Sequence, residues 1–415
     1  MACVLHLQTG LPLAGNAPLR LHREMLANGV ESKMLVMHTL METSAHLQQL
    51  PKVRRSMSVR ATNVASRLAL GHMTPGSYKF SVPFTGFDVS LHDFVVNADV
   101  IYIHWINGGF LNFRNLRKLL SLGKPVVFYL HDMWAITGGC HHSLGCDKYH
   151  NGCYFCPMFA HGSEHTIASR QFEIKKALYR SSENVWFLAP SRWIQECSRA
   201  SGVTPGKTTV KIANLIDERL FVSCEKATAK RLLGIAEDTT VVSFGATSAT
   251  SNPFKGWTFL KEALHRLKSI TSSRNIEILV FGDNQNPNVT DAIPFKTHWV
   301  GKLHDDISMA VVDNAADVFV SPSIAESFSQ TVLENLLCGT PAVAFNVGGI
   351  PDLVIHKENG YLATAKDSND LANGIEYCIS RKLPMTIATD VRRDVVIGKH
   401  LSFVDSLLTS GPART

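Results

Sequence analysis

The sequence predicts an α/β protein built from two doubly wound parallel sheets. Short apolar strands alternate with helical patterns along most of the chain, and that alternation marks parallel sheets wound by helices. At 415 residues the chain exceeds one ordinary hydrophobic core. The alternation also occurs as two sets, with the changeover placed near residues 218–236.

In chain order, the opening Met1-Ala2-Cys3-Val4-Leu5-His6 reads as a first buried strand over 4–7. A helical pattern follows at 15–27, then a strand at 33–37. Residues 41–93 break the rhythm, are rich in Ser, Thr, Pro and Gly, and read as a long insertion over the first domain near the acceptor. Strands at 100–104 and 125–130 flank a helix at 111–122; a strand at 185–189 leads to a helix at 191–200 and a strand at 209–213. The second set has strands at 241–245, 276–281, 317–320 and 341–345, with helices at 255–267, 330–338 and 368–379. The expected domains are 1–218 and 219–385, with 386–415 as a terminal segment. Ligands of such sheets bind beyond the carboxyl ends of the strands.

Composition narrows the function. The chain is 45% hydrophobic and 18% charged, which suits a globular protein. No apolar run reaches the ~18 residues of a membrane span. The N-terminus lacks the basic region and cleavage site of a signal peptide, so a cytoplasmic protein is expected, and its nine cysteines read as thiols or metal ligands. The net charge of +6 fits an anionic small substrate or peripheral attraction to an anionic inner-leaflet membrane. No dense basic run argues for nucleic acid. GxGxxG spacing is absent, which argues against a dinucleotide cofactor.

The most informative stretch is SPSIAESFSQTVLENLLCGTPAVAFNVGGIPDLV over residues 321–354. Glu326 falls in a loop after a strand. Glu334 falls in the following helix, whose apolar face is Val332, Leu333, Leu336 and Leu337. Carboxylates accept hydrogen bonds from paired hydroxyls. The helix opening at Phe328-Ser329 offers backbone N–H groups to a phosphate. Sugar hydroxyls and phosphate together suggest a nucleotide sugar. Taken singly, a glutamate there is a first-turn charge complementing the helix dipole.

With Pro341, Gly348, Gly349 and Pro351 at a second strand-to-helix turn, this stretch resembles the donor-sugar signature of the retaining glycosyltransferases of family four, which have the GT-B fold of two Rossmann-like domains facing a cleft. The resemblance implies that Glu326 binds the donor sugar, Glu334 the ribose, and Phe328 and Ser329 the diphosphate. Lys255, in Asn252-Pro253-Phe254-Lys255-Gly256-Trp257, resembles the family's diphosphate lysine, which neutralises charge on the departing nucleotide. The family commonly has an arginine where this chain has Ala246. Gly15 and Asn16 fall in the turn resembling the family's glycine-rich loop. His131, in the pair His131-Asp132, resembles the histidine that faces the donor sugar. Trp105 and Asp132 are acceptor candidates. The segment 386–415 is expected to cross back to the first domain.

Four cysteines, Cys140, Cys146, Cys153 and Cys156, follow a C-x5-C-x6-C-x2-C pattern whose closing pair suits a structural zinc knuckle. His141, His142 and His150 are spare ligands, and a redox pair or unlinked thiols are the alternatives. The loop resembles that of a subgroup making bacterial exopolysaccharide and O-antigen. The resemblance implies transfer, with retention, from a UDP- or GDP-sugar to a glycan or polyprenyl-diphosphate-linked oligosaccharide. No D-x-D pair is placed to hold a divalent ion, so no catalytic metal is expected. A nucleotide-sugar epimerase or hydrolase, and a non-catalytic scaffold of a polysaccharide assembly complex, are the alternatives.

Overall fold

The computed structural model describes residues 2–11, 16–71, 73–74, 79–159, 164–245, 252–271 and 274–409. The chain divides into two compact units, one comprising Met1–Pro12, Pro18–Ala213 and Val396–Thr415, the other Leu13–Ala17 and Asn214–Val395.

Among the described residues the first unit holds seven strands, β1 (Cys3–Leu11), β2 (Glu31–Thr39), β3 (Leu47–Gln49), β4 (Val100–Ile103), β5 (Val126–Tyr129), β6 (Val185–Ala189) and β7 (Thr209–Lys211). Their order is β3-β2-β1-β4-β5-β6-β7, with every pairing parallel. Strand order reverses between β1 and β4, which opens a crevice at their carboxyl ends. Among the described residues the second unit has six strands, β8 (Thr240–Gly245), β9 (Ile276–Phe281), β10 (Lys296–Gly301), β11 (Val318–Ser321), β12 (Ala342–Phe345) and β13 (Gly360–Ala363), ordered β10-β9-β8-β11-β12-β13 and again parallel throughout. Here the reversal falls between β8 and β11.

Central strands such as β4, β5, β9 and β12 are buried at every residue, because helices cover both faces of each sheet. Each unit packs its own core, around Leu5, Ile101, Phe128 and Phe187 in the first and Val242, Ile278, Val320 and Val343 in the second. Local chemistry sets the helix starts. Asn112 closes a capping box over helix Phe113–Leu120, and Asp367 accepts from two backbone N–H groups of helix Ser368–Ile379.

Three departures from the sequence expectations have physical causes. The stretch 41–93 is not a plain insertion: β3 extends the sheet by pairing with β2, and residues Lys52–Leu70 form a 19-residue helix. Its apolar residues are mostly on the outer face, so no core-facing period is visible. The helix expected from residue 255 begins at Trp257, because Gly256 sits at φ 70° and separates it from a 3-10 turn over Pro253–Lys255. The edge strands β10 and β13 escape detection because edge positions do not demand continuous apolar runs. Helix Arg393–Thr409 closes the described chain. Its buried His400 lies 3.4 Å from the Tyr102 hydroxyl on β4. Among the described residues no helix is long and apolar enough to cross a membrane.

Candidate active site

In the second unit, functional side chains gather at the carboxyl ends of β8 and β11. Asn252 accepts from the backbone N–H of Phe254 at 3.1 Å and shapes the turn that presents Lys255. The carbonyl of Phe254 accepts from Ile324 N–H at 2.9 Å, tying that turn to the loop after β11. A Cβ on Gly256 would lie 1.9 Å from the Pro322 carbonyl oxygen, so only glycine permits the approach. Lys255 Nζ consequently reaches Glu326, donating to Oε1 at 2.6 Å. The Glu326 backbone is fixed from a second turn: its carbonyl accepts from Gly349 N–H at 2.9 Å. A Cβ on Gly348, at φ 54°, would fall 1.9 Å from the same oxygen. The Gly348-Gly349 pair therefore serves to seat Glu326.

Ser329 precedes helix Gln330–Leu337 at φ 71° and ψ 87°, a left-handed conformation costing a non-glycine residue about 1–3 kcal/mol. Its side chain makes no cap, so the helix opening faces the pocket that Lys255, Glu326, Ser329 and Thr331 line. Partial positive charge at a helix start and a lysine ammonium are both suited to an anion. Phe328 is buried beside this opening. Glu334 lies one turn further along the helix, buried, and does not line the pocket. Gly15 and Ala246 lie outside the described residues; Asn16 is buried.

The first unit's site is made differently. His104, Trp105, Asn107, His131 and Asp132 line a pocket at the carboxyl ends of β4 and β5. Three imidazoles form a hydrogen-bonded row across β1, β4 and β5. His6 Nδ1 is 2.9 Å from His104 Nε2, and His104 Nδ1 is 2.8 Å from His131 Nε2. Burial lowers the pKa of all three; His131 is brought down to about 4, with the Asp132 charge pulling weakly the other way. The row is therefore neutral at physiological pH, and along it each bond has one ring as donor and the next as acceptor.

Its polarity follows from the far end. His6 Nε2 is buried without a partner. An orphaned acceptor is tolerated better than an orphaned N–H, so His6 carries its proton on Nδ1 and donates to His104. His104 then donates to His131, which is left with its proton on Nδ1. Asp132 accepts from Trp134 N–H at 2.8 Å and pairs with His141 Nδ1 at 2.6 Å. Burial raises its carboxyl, but His141 outweighs this and holds it at about 2. His141 Nε2 in turn meets the Ser81 hydroxyl at 2.8 Å. Lys79 sits over the Trp105 ring at 4.3 Å. Asn107 is 1% exposed, and neither atom of its side-chain amide has a partner.

The four cysteines of the loop, Cys140, Cys146, Cys153 and Cys156, are all free thiols. Among the described residues no group of three or more His, Cys, Asp or Glu is set to hold a metal ion. Cys153 and Cys156 are instead drawn into the first core, and burial pushes the Cys153 thiol up to about 12 and that of Cys140 to about 11. Burial raises Cys156 as well. The loop is closed by backbone bonds, including Cys153 N–H to the Lys148 carbonyl at 2.9 Å. His141, a spare metal ligand by sequence, orients Asp132.

Residues 239–381 match the sequence family described as glycosyl transferases group 1. Lys255, Glu326, Ser329 and Glu334 all fall inside that segment. Over 193 residues the chain is 29% identical to the D-inositol 3-phosphate glycosyltransferase of Stackebrandtia nassauensis, covering 42% of each protein. Over 181 residues it is 25% identical to the N-acetyl-alpha-D-glucosaminyl L-malate synthase of Bacillus anthracis, covering 41% of this chain and 44% of that protein. The chain thus spans less than half the length of these curated relatives. Among solved structures, sucrose-phosphate synthase from Thermosynechococcus elongatus superposes with a TM-score of 0.64 at 18% identity, covering 99% of this chain and all (100%) of that one. Anabaena HepE in complex with UDP and glucose gives 0.60 at 17% identity, covering 98% and 100%. At such identities the likeness is one of fold. The expected two Rossmann-like units are found, and the structural neighbours are GT-B glycosyltransferases. Sequence reasoning did not find the row through His6 and His104, nor Asn107. The available signal was a histidine in or directly after each of three adjacent strands.

Proposed function

We propose that the protein is a retaining glycosyltransferase. It moves a sugar from a UDP- or GDP-sugar to a hydroxyl of a glycan or polyprenyl-diphosphate-linked oligosaccharide, as in the synthesis of bacterial surface polysaccharide. The observation that carries this reading is the Lys255–Glu326 pair at an uncapped helix opening, inside the segment matching glycosyl transferases group 1. A diphosphate entering the pocket competes with Glu326 for Lys255. Once released, the carboxylate accepts hydrogen bonds from sugar hydroxyls. One ion pair so serves both halves of the donor. HepE, solved with UDP and glucose, supports a nucleotide sugar as that ligand.

In the chemical step the bond from the anomeric carbon to the diphosphate oxygen breaks as the acceptor oxygen bonds to the same face. The leaving phosphate oxygen takes the acceptor proton. Lys255 stabilises charge growing on that oxygen. Glu334 binds the ribose, and Phe328-Ser329, with Gly15 and Asn16, hold the phosphates. In the first unit, neutral His131 donates from Nδ1 to a sugar hydroxyl, while Trp105 and Asp132 receive the acceptor. Domains at 1–218 and 219–385 divide acceptor from donor binding.

The test is a thermal-shift series with UDP, GDP and their sugars, followed by product analysis. Binding to the native state raises Tm by mass action, by about 2.7 kcal/mol of stabilisation at a hundredfold excess over Kd. Transfer to an added glycan acceptor supports the proposal. Release of free sugar regardless of acceptor, or epimer formation, replaces it with a hydrolase or epimerase. No shift with any nucleotide replaces it with a scaffold.

A further inference from the structure

Helix Lys52–Leu70 has two faces of opposite character. On the inner face, Ser58 donates to the Gly109 carbonyl at 2.7 Å and meets the Thr85 hydroxyl at 2.7 Å; Thr62 bonds the same hydroxyl, and Arg55 donates to the Met37 carbonyl at 3.1 Å. Val59 and Leu70 pack on the first core. These bonds fasten the helix over the segment that follows Trp105 and Asn107. On the outer face stand Val53, Met57, Val64 and Leu68, exposed by 75, 68, 58 and 78%. Their spacing places them within an arc of about 60° at 3.6 residues per turn. Arg60 and Arg67 border that arc along one side and are exposed, as is Lys52, and the helix contains no acid.

We propose that this face is a docking surface for an anionic lipid bilayer. An apolar stripe edged by bases lies in a membrane interface with its apolar side chains among the acyl chains and its bases at the headgroups. A water-exposed stripe of this kind on a well-anchored helix needs a partner to cover it. Charge selects which partner. A second copy of the same face would set Arg60 and Arg67 against like charges, whereas anionic headgroups complement them. The segment beneath the helix leads into the pocket of Trp105, Asn107 and His131, so docking holds that pocket beside the bilayer surface. A lipid-linked acceptor then presents its sugar there without leaving the membrane. The docking itself does not depend on the glycosyl-transfer reading.

The experiment is cosedimentation of the full chain with vesicles of phosphatidylcholine alone or mixed with phosphatidylglycerol. Binding to the mixed vesicles is expected, weakening as salt rises, because the contribution of the bases is screened. Met57→Glu with Leu68→Glu should lower the bound fraction at least tenfold, with circular dichroism and melting temperature unchanged. Arg60→Gln with Arg67→Gln should remove the preference for phosphatidylglycerol. Absence of binding to anionic vesicles overturns the proposal, as does equal binding by parent and Met57/Leu68 variant. A dimer in sedimentation equilibrium that the Met57/Leu68 variant dissolves also overturns it and makes the face a contact between copies.

Discussion

In the second unit an ion pair marks the strand ends; in the first, a row of neutral imidazoles does. Both lie where parallel strands finish, yet they offer different chemistry. Lys255 and Glu326 are held 2.6 Å apart and remain partly open to water, at 28 and 14% side-chain exposure, which leaves the pair accessible from solvent. His6, His104 and His131 carry no charge to exchange. What they carry is direction, because an unpartnered nitrogen at one end decides which nitrogen is protonated at the other. Strand ends thus supply position, and the residues placed there choose between charge and hydrogen-bond polarity.

The largest test of this contrast is Lys255→Ala. Loss of the ammonium should reduce turnover about a hundredfold to a thousandfold, the range for removing one charge-stabilising donor, with a smaller change in donor affinity measured by calorimetry. Turnover equal to the parent would remove Lys255 from the chemistry.

The second test is acid. Burial keeps His131 and His22 neutral down to about 4 and His400 down to about 3, whereas the unfolded chain takes protons from about pH 6.5. The unfolded state binds more protons across that window, so stability falls as pH drops from about 6.5, toward 4 for His131 and His22 and toward 3 for His400, each contribution levelling off below its own folded value. Each such histidine adds a slope of up to about 1.4 kcal/mol per pH unit. Asp132, held at about 2, has the opposite requirement and withdraws its contribution only below the ordinary carboxylate range. All these groups lie in the first unit. Peptide-resolved hydrogen exchange at pH 5 should show that unit opening before the second. Simultaneous opening would refute the assignment.

A third test addresses polarity. Nitrogen NMR of the imidazoles should find His131 protonated on Nδ1 and bare on Nε2. His104→Gln should scramble that tautomer and lower transfer about tenfold, the scale of one lost hydrogen bond. An unchanged His131 spectrum would mean that His104 does not set it.

The smallest effect is expected at Asn107. Its buried amide pays desolvation without a partner, so Asn107→Leu should raise stability by about 1 kcal/mol in chemical denaturation. If a ligand uses that amide, acceptor KM rises in the same variant. A destabilised variant would show that Asn107 is satisfied within the fold.

How far the sequence could be read depended on burial. Strands β6 and β9 are delimited to the residue because helices cover the sheet on both sides and almost every position, Glu277 apart, is apolar. Strand β10 alternates Thr297, His298 and Trp299 with partial exposure and left no such trace. In the second site Lys255 and Glu326 are 71 positions apart, but each sits in a local motif that forces its turn, Gly256 for one and Gly348-Gly349 for the other. The imidazole row has no local motif. Its members come together only through the parallel register that sets His6 opposite Tyr102, and register between distant strands is not written in either strand alone. The cysteine loop is a different case: its spacing suits a metal site, while Cys153 and Cys156 pack into the first core.

Helix Arg393–Thr409 returns His400 to Tyr102 and so makes the first unit discontinuous in sequence. Synthesis runs from the N-terminus, and domains generally fold as they emerge. Here the seven-stranded sheet is made first and completed last, since the side chains that seal Tyr102 arrive only after the entire six-stranded unit has left the ribosome. The second unit, nearly contiguous from Asn214 to Val395, can close on its own while the first still waits for its final helix.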